Sequence, residues 1–201
     1  MYYLYSNTIK HQDVYVQSDI FKINQALESL SKNKLIRSLT RTKTVTIDMK
    51  QGASVPANII PKEVLQTAEG QKVNLKFDMG DYSWTIKGKD ITDAGVKDIN
   101  LGLNETSAVI PEAVLKSVSG KNSSTQFSIK HSGEFGFQAK LTLYVGKQYR
   151  GKYANFYTYD GNNIELSGYA KVNRKGYVTV DFNHGPYYGI VFSKRHAKPS
   201  K

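Results

Sequence analysis

The sequence predicts an α+β fold that is dominated by antiparallel strands, and three observations support this. Apolar residues alternate with polar ones in short runs, as at Val73, Leu75 and Phe77. Turn signals separate such runs, and Asp160-Gly161-Asn162-Asn163 is the strongest of them. Helical spacing is confined to one N-terminal stretch and to two short stretches that follow proline. We therefore expect a sheet-rich chain with one N-terminal amphipathic helix and a tandem short-helix and hairpin repeat.

Residues 1–50 are predicted to form a separate strand and helix unit. Apolar runs at residues 2–5, 14–16 and 44–49 predict strands. Ile20, Ile23 and Leu27 follow one another at steps of three and four, which predicts an amphipathic helix over about residues 19–31. A basic cluster without acidic members follows this helix: Lys32, Lys34, Arg37, Arg41 and Lys43.

Residues 51–192 are predicted to form a β-rich module with an internal repeat. At an offset of 50, residues 60–70 and 110–120 share an Ile-Pro start, a Val-Leu pair and a final glycine. Each copy predicts a short helix closed by its glycine, followed by a hairpin that turns at Gly80-Asp81 or at residues 131–133. Residues 151–192 predict an antiparallel meander with strands at residues 153–159, 164–172, 177–182 and 187–192 and turns at residues 160–163 and 173–176. Residues 193–201 predict a loose basic tail.

The composition limits the classes of function. The chain has 201 residues, 39% of them hydrophobic, so it can bury a core as one large domain or two small ones. The lack of cysteine excludes disulfides, thiolate metal sites and a cysteine nucleophile. The net charge of +11 favours a polyanionic partner, with plain solubility as the alternative. We expect no membrane insertion, because no run of 18 uncharged apolar residues occurs.

The sequence does not predict an enzyme, a cofactor or a metal site. The motifs GxSxG, GxGxxG and GxxxxGK[ST] are missing. His131 and His184 lack HxH or HxxxH spacing, so that backbone capping of turns is favoured over metal binding. The first residues from Met1 lack the regions of a secretory signal. The compartment therefore stays open: cytoplasm or virion for a full-length chain, extracellular if a leader was removed.

Two sets of residues are predicted to bind ligands. Tyr153, Tyr157 and Tyr159 are separated by even numbers of residues and so share one strand face, where exposed rings could stack on sugar rings or bases. Cross-strand packing is the alternative interpretation of this row. The N-terminal basic cluster together with Lys194 and Arg195 is the predicted polyanion-binding set, with a solvated face as the alternative. No helix-turn-helix, zinc-finger or RNP motif accompanies the set.

Several motifs over about residues 55–191 occur together in one order. They include Ile60-Pro61, Phe77-Asp78-Met79-Gly80, Trp84-Thr85-Ile86, Gly88-Lys89-Asp90-Ile91-Thr92, Ile110-Pro111, His131-Ser132-Gly133-Glu134-Phe135-Gly136, Tyr153-Ala154-Asn155 and Phe182-Asn183-His184. In these motifs the chain resembles a sheet-rich module of surface proteins of Gram-positive Firmicutes. The resemblance implies a non-catalytic scaffold and names no ligand.

The function expected from these observations is that of a non-enzymatic binding or attachment protein of the surface or virion type. Its partner would be a protein or a cell-surface polymer. The alternative is a phage-type intracellular inhibitor, or a nucleic-acid-associated protein, that acts through its basic surface, because the modules it resembles are acidic or neutral whereas this chain carries +11. The oligomeric state is left open.

Overall fold

The computed structural model of the protein describes residues 13–17, 25, 43–49, 59–92, 97–105 and 108–198. Within these ranges the chain is rich in strands, most of them antiparallel, with two short helices, as the sequence predicts. The first half contains β1 (Asp13–Gln17), β2 (Lys43–Asp48), β3 (Ile59–Ile60), α1 (Lys62–Ala68), β4 (Val73–Asp78), β5 (Tyr82–Lys87), β6 (Ile99–Asn100) and β7 (Leu103–Asn104). The second half contains α2 (Glu112–Ser119), β8 (Ser123–Tyr144), β9 (Tyr153–Tyr159), β10 (Ile164–Lys171) and β11 (Tyr177–Ser193), and 3₁₀ turns span Gly88–Asp90 and Lys147–Tyr149.

The chain divides into two compact units. Unit 1 contains the described residues up to Leu101 together with Glu134–Lys140. Unit 2 contains Gly102–Gly133 and the described residues from Leu141 onward. The middle of β8 therefore belongs to unit 1 and its two ends to unit 2. The sequence-based division after residue 50 and at residue 192 stays a prediction.

Unit 1 contains a sheet in which the strands follow the order β1-β2-β4-β5-β8. The ladders from β1 to β2 and from β2 to β4 are parallel, whereas β4 and β5 form an antiparallel hairpin. The side chain of Asp78 closes the hairpin turn by accepting the Gly80 N–H at 3.0 Å. The strands predicted at residues 14–16 and 44–49 and the first predicted hairpin are confirmed.

Trp84 is the centre of the unit 1 core. The residue is fully buried and donates its indole N–H to the Leu101 carbonyl at 2.8 Å. Its ring lies edge-on to Phe135, with the ring centroids 6.3 Å apart. Because Phe135 belongs to β8, this contact joins the first hairpin to the middle of the long strand.

The two helices of the predicted repeat form, but the repeated hairpin does not. Pro61 and Pro111 occupy the N-cap positions of α1 and α2 in extended conformation. Gly70 and Gly120 follow the helices with φ of 67° and 55°, the left-handed region that favours glycine. The turn predicted at residues 131–133 is wrong, because β8 runs through it without reversal. Gly133 and Gly136 take positive φ of 90° and 80° within the strand, and pairing with neighbouring strands overrides the local turn signal.

Unit 2 contains the strand order β8-β11-β9-β10, with β7 paired to β8. Strand β9 pairs antiparallel with both β10 and β11, so it has neighbours on both sides. The predicted strand at residues 153–159 and the two turns around β10 are confirmed. The predicted break at residues 183–186 is wrong, because β11 is one strand of 17 residues.

The two faces of β9 are covered differently. On one face Phe156 joins an aromatic core in which Phe127 stacks on Tyr188 at 5.6 Å and meets Phe182 edge-on at 6.3 Å. On the other face α2 covers one end of the strand. This second face carries the candidate site, because it holds the predicted tyrosine row.

Several predictions lie outside the described residues. They are the strand at residues 2–5, the helix over residues 19–31, apart from Gln25, the cations Lys32, Lys34, Arg37 and Arg41, and the last three residues of the predicted tail. Lys43 is the first residue of β2 in unit 1. Neither helix in the described ranges has the length and apolarity needed to cross a membrane.

Candidate functional site

The three predicted tyrosines lie at alternate positions of β9 and so share one face of the unit 2 sheet. The register places Lys171 beside Tyr153 and Leu166 beside Tyr157. A β-bulge between Leu166 and Gly168 inserts one extra residue into β10. Because of that residue, Tyr169 points to the same face as Tyr153. The face therefore gains an aromatic ring that the period-two pattern of β10 alone would put on the other side.

Tyr159 is covered by helix α2. Its side chain is 8% exposed and packs in a cluster with Ile110 and Leu115. Its hydroxyl donates to the Gly161 carbonyl at 2.6 Å. Gly189 on β11 permits the close approach of the helix, because a Cβ there would lie 2.8 Å from Leu115 Cδ1. Tyr159 therefore packs across strands, and of the predicted row only Tyr153 and Tyr157 remain partly exposed.

Tyr157 lies in the middle of the row and is half-buried. Burial raises the pKa of its hydroxyl above the ordinary value for tyrosine, because the phenolate would lose hydration. The hydroxyl makes no hydrogen bond to any residue that the structure describes. The neutral hydroxyl of Tyr157 is therefore available as a hydrogen-bonding group. It lies between the end of the face that α2 covers and the end that the C-terminal segment covers.

Asn155 fixes the C-terminal segment, residues 194–198, onto the other end of the face. The residue is 1% exposed and donates its amide to the Val191 carbonyl at 3.1 Å and to Ser193 Oγ at 2.8 Å. Its carbonyl oxygen accepts the Ala197 N–H at 2.6 Å. Ser193 Oγ donates in turn to the Arg195 carbonyl. Side-chain hydrogen bonds thus hold a segment that the sequence predicted to be loose.

Three rings meet where this segment crosses the sheet. His196 stacks on Tyr169, with the ring centroids 4.4 Å apart and the planes at 18°. It also lies edge-on to Tyr153 at 5.7 Å, and Tyr153 meets Tyr169 at 6.1 Å. Tyr169 remains 47% exposed, so one aromatic surface of the cluster faces solvent. Such a surface can stack on a ring of a ligand.

Seven cations lie at the same end of the sheet as this aromatic cluster, because the register brings the ends of three strands together there. The start of β9 pairs with the end of β10 and with the end of β11. Two backbone hydrogen bonds between residues 151–152 and Val172 extend this pairing. The cations at this end, called the basic end below, are Lys147, Arg150, Lys152, Lys171, Lys194, Arg195 and Lys198.

The charges of the basic end are not neutralised within the described part of the chain. None of its seven cations forms an ion pair there, and six of them are exposed. Two of them lie over tyrosine rings instead: Lys152 Nζ is 5.5 Å from the Tyr149 ring and Lys171 Nζ is 5.9 Å from the Tyr153 ring. The site therefore combines positive charge with aromatic surface.

The acidic groups of the same strands lie at the opposite end. Glu165 pairs with Thr158, and Asp160 follows β9, which puts them about 17 Å and about 23 Å along the strand from Tyr153 at about 3.3 Å per residue. That distance exceeds the Debye length of about 8 Å at physiological salt. Hydrogen bonds from Asn163 N–H and Asn162 N–H lower the pKa of Asp160, so this carboxylate stays ionised and serves the turn.

The structure brings together parts of both predicted sets. Tyr153 from the tyrosine row meets Lys194 and Arg195 from the basic set, since Ser193 pairs with Tyr153. The sequence reasoning missed Lys147, Arg150, Lys152 and Lys171. Their signal was present in the predicted meander, because residues just before one strand and at the end of its antiparallel partner meet at one edge.

His184, one of the two histidines considered for chemistry, contacts neighbouring residues of β9 and β11. His184 Nδ1 lies 2.8 Å from Asn183 Oδ1, its Nε2 lies 3.3 Å from Thr158 Oγ1, and its carbonyl accepts the Tyr188 hydroxyl at 2.7 Å. Among the described residues no group of three or more His, Cys, Asp or Glu side chains could hold a metal ion. The arrangement around the basic end can bind anions and rings, and it carries no paired nucleophile and base.

No family model, curated protein or solved structure matches this chain. Its membership of a family therefore stays a prediction from the motifs.

Proposed function

We propose that this protein is a non-enzymatic binding protein that attaches to a polyanionic polymer through the basic end of unit 2. The observation that carries the proposal is the presence of seven cations, without ion pairs among the described residues, at the end of the sheet that carries the exposed Tyr169–His196 stack. Release of counterions from a polyanion is the main source of affinity for such a surface. The motif resemblance to surface-protein modules fits an attachment role of this kind.

The fixed position of the C-terminal segment supports the proposal. Lys194, Arg195 and Lys198 would lose conformational freedom on binding if they were on a free chain. Asn155 holds the segment against the sheet before any ligand arrives, so less of this entropy is lost at binding. Lys171, whose Nζ lies 5.9 Å from the Tyr153 ring, is on the same face of the sheet, whereas Lys152 lies over Tyr149, which stacks on Phe192 on the other face.

The distribution of charge gives the expected salt dependence. If all seven cations contact a single-stranded polyanion, the slope of log K against log salt is about −5. The exposed rings add a stacking contribution that salt weakens little. The affinity should thus fall steeply as the salt concentration rises. For a polymer that carries rings, a residual affinity from stacking should remain at high salt.

The test is a salt-dependent binding titration with fluorescently labelled poly(glycerol phosphate) and single-stranded DNA, beside neutral dextran. The variant K171Q/K194Q/R195Q removes three exposed cations from the basic end. We expect it to bind the polyanions about tenfold more weakly and to reduce the slope from about −5 to about −3. The ratio of affinities for the phosphate polymer and DNA then identifies the polymer class.

The matched control is K62Q/K72Q/K89Q, which removes three exposed cations from unit 1 and so has the same net charge. It should bind as the unchanged protein does. Equal losses in both variants would show that total charge, and not the basic end, drives binding. Absence of polyanion binding at low salt would refute the proposal.

A further inference from the structure

A cavity of about 290 Å³ lies beside the basic end within unit 2. Its floor consists of buried apolar side chains: Phe127, Leu143, Ile190 and Phe192. Tyr149 forms part of the wall and stacks flat on Phe192, with the ring centroids 3.7 Å apart and the planes at 5°. Tyr144 borders the cavity and is 43% exposed, tilted against Tyr177 at 5.2 Å. The volume is close to the lower limit of small-molecule sites, about 300 Å³.

Most of the remaining residues that line the cavity have polar side chains. The side chains of Glu105, Thr125 and Gln148 line the cavity, are exposed, and form no hydrogen bond to any described residue. Gln126, by contrast, uses both ends of its carboxamide on the Ile110 backbone, at 2.8 and 3.1 Å. The cavity thus offers a carboxylate, a carboxamide and a hydroxyl around an aromatic and aliphatic floor.

We propose that this cavity binds a neutral pyranose sugar ring. Such a ring has an apolar face of C–H bonds, which fits an aromatic wall, and hydroxyl groups around its edge, which fit the polar groups. Glu105 can accept two hydroxyl hydrogen bonds, and Gln148 can donate and accept. No Lys or Arg lines the cavity, and the carboxylate of Glu105 would repel an anion, so the ligand carries no negative charge at this point.

A nucleobase fits the site less well. Phe192 covers one face of Tyr149 and Lys152 Nζ lies over its ring at 5.5 Å, so a base and a sugar would both have to stack on the exposed Tyr144, and the polar groups decide between them. Hydroxyl groups that point in several directions make better use of the separate polar groups. The inference does not depend on the proposed polyanion site, because the cavity and the basic end have different lining residues and different expected salt dependence.

The experiment is saturation-transfer difference NMR on the full chain with a panel of methyl glycosides, including those of glucose, galactose and N-acetylglucosamine, and with cytidine and adenosine. Glycoside affinities follow from titration at low and at high salt. Variants Y144A and Q148A change exposed side chains at the cavity, and E105Q keeps the shape of the side chain while removing its charge. K171Q/K194Q/R195Q is the control for the basic end.

We expect ring C–H signals from at least one glycoside, with binding that changes little with salt. Y144A and Q148A should each weaken that binding by about tenfold or more, as expected for loss of a buried stacking or hydrogen-bonding partner. The control variant should bind the glycoside normally, even if its polyanion binding is lost. Failure of the whole glycoside panel to bind, tighter binding of either nucleoside in the same cavity, or unchanged affinity in both Y144A and Q148A would overturn the inference.

Discussion

Asn155→Ala is the substitution that most directly tests the support of the basic end. The change removes two hydrogen bonds donated by Nδ2, at 3.1 and 2.8 Å, and one accepted by Oδ1, at 2.6 Å. A net contribution of about 0.5 to 1.5 kcal/mol for each bond gives a loss of about 3 kcal/mol in the free energy of unfolding. The residue is 1% exposed, so water cannot easily replace the lost partners.

The same substitution should release residues 194–198 from the sheet. The Ala197 amide loses its acceptor, and His196 loses the support that keeps it on Tyr169. We expect faster hydrogen exchange at Ala197 and a polyanion affinity lowered by about three- to tenfold, since ordering of the segment is then required at binding.

Urea denaturation followed by circular dichroism measures the stability, and hydrogen-exchange NMR measures the segment. Asn162→Ala is the matched control, because Asn162 is exposed in a turn and its backbone N–H, not its side chain, bonds Asp160. A stability loss below about 0.5 kcal/mol, or unchanged exchange at Ala197, would refute the reasoning that Asn155 holds the segment.

Two further predictions concern the core of unit 1 and the titration of Tyr157. Trp84→Phe leaves the buried Leu101 carbonyl without its 2.8 Å donor and should lower the free energy of unfolding of unit 1 by about 1 to 3 kcal/mol. Urea denaturation followed by circular dichroism measures this loss. A loss below about 0.5 kcal/mol, or an altered polyanion affinity, would contradict the prediction. Burial raises the pKa of Tyr157, so its contribution to stability is complete below the unfolded tyrosine pKa of about 10 and is lost as the pH rises further. Tyrosinate absorbance is recorded during alkaline titration of the unchanged protein and of Tyr157→Phe. The difference between the two curves should show a step above about pH 10. A step at or below about pH 10 would contradict the burial of the Tyr157 hydroxyl.

The local patterns predicted the strands whose partners are close in sequence. The limits of β9 agree with the alternation of residues 153–159, because the Asp160–Asn163 turn ends the strand through local hydrogen bonds. The first hairpin, at Asp78 to Tyr82, is local in the same way. Both helices could be predicted from a proline start and a glycine end.

The long strands could not be predicted from local signals. Gly185-Pro186 and residues 131–133 carry turn signals, yet both lie within strands whose partners are distant in sequence. In β11 the proline comes directly before the part of the strand that pairs with β9, which begins at Tyr187. The ladder with β9 therefore does not need the N–H that Pro186 lacks.

The candidate site was only partly predictable for the same reason. Tyr153, Lys194 and Arg195 could be named from composition and position, but their proximity depends on the pairing of β9 with β11. The burial of Tyr159 depends on α2, which lies more than 40 residues earlier in the sequence. Lys152 and Lys171 look like separate surface lysines until the register places them at one edge.

The most direct test of the central claim is to map where a polyanion contacts the protein. Amide chemical-shift changes would be recorded on the isotope-labelled full chain during titration with poly(glycerol phosphate) at low salt, and again at 0.5 M salt. We predict changes at residues 147–152, 169–172 and 193–198 that vanish at high salt. Changes that spread evenly over exposed lysines of both units, or that centre on the Asp160–Glu165 end of the sheet, would contradict the claim that the basic end is the binding site.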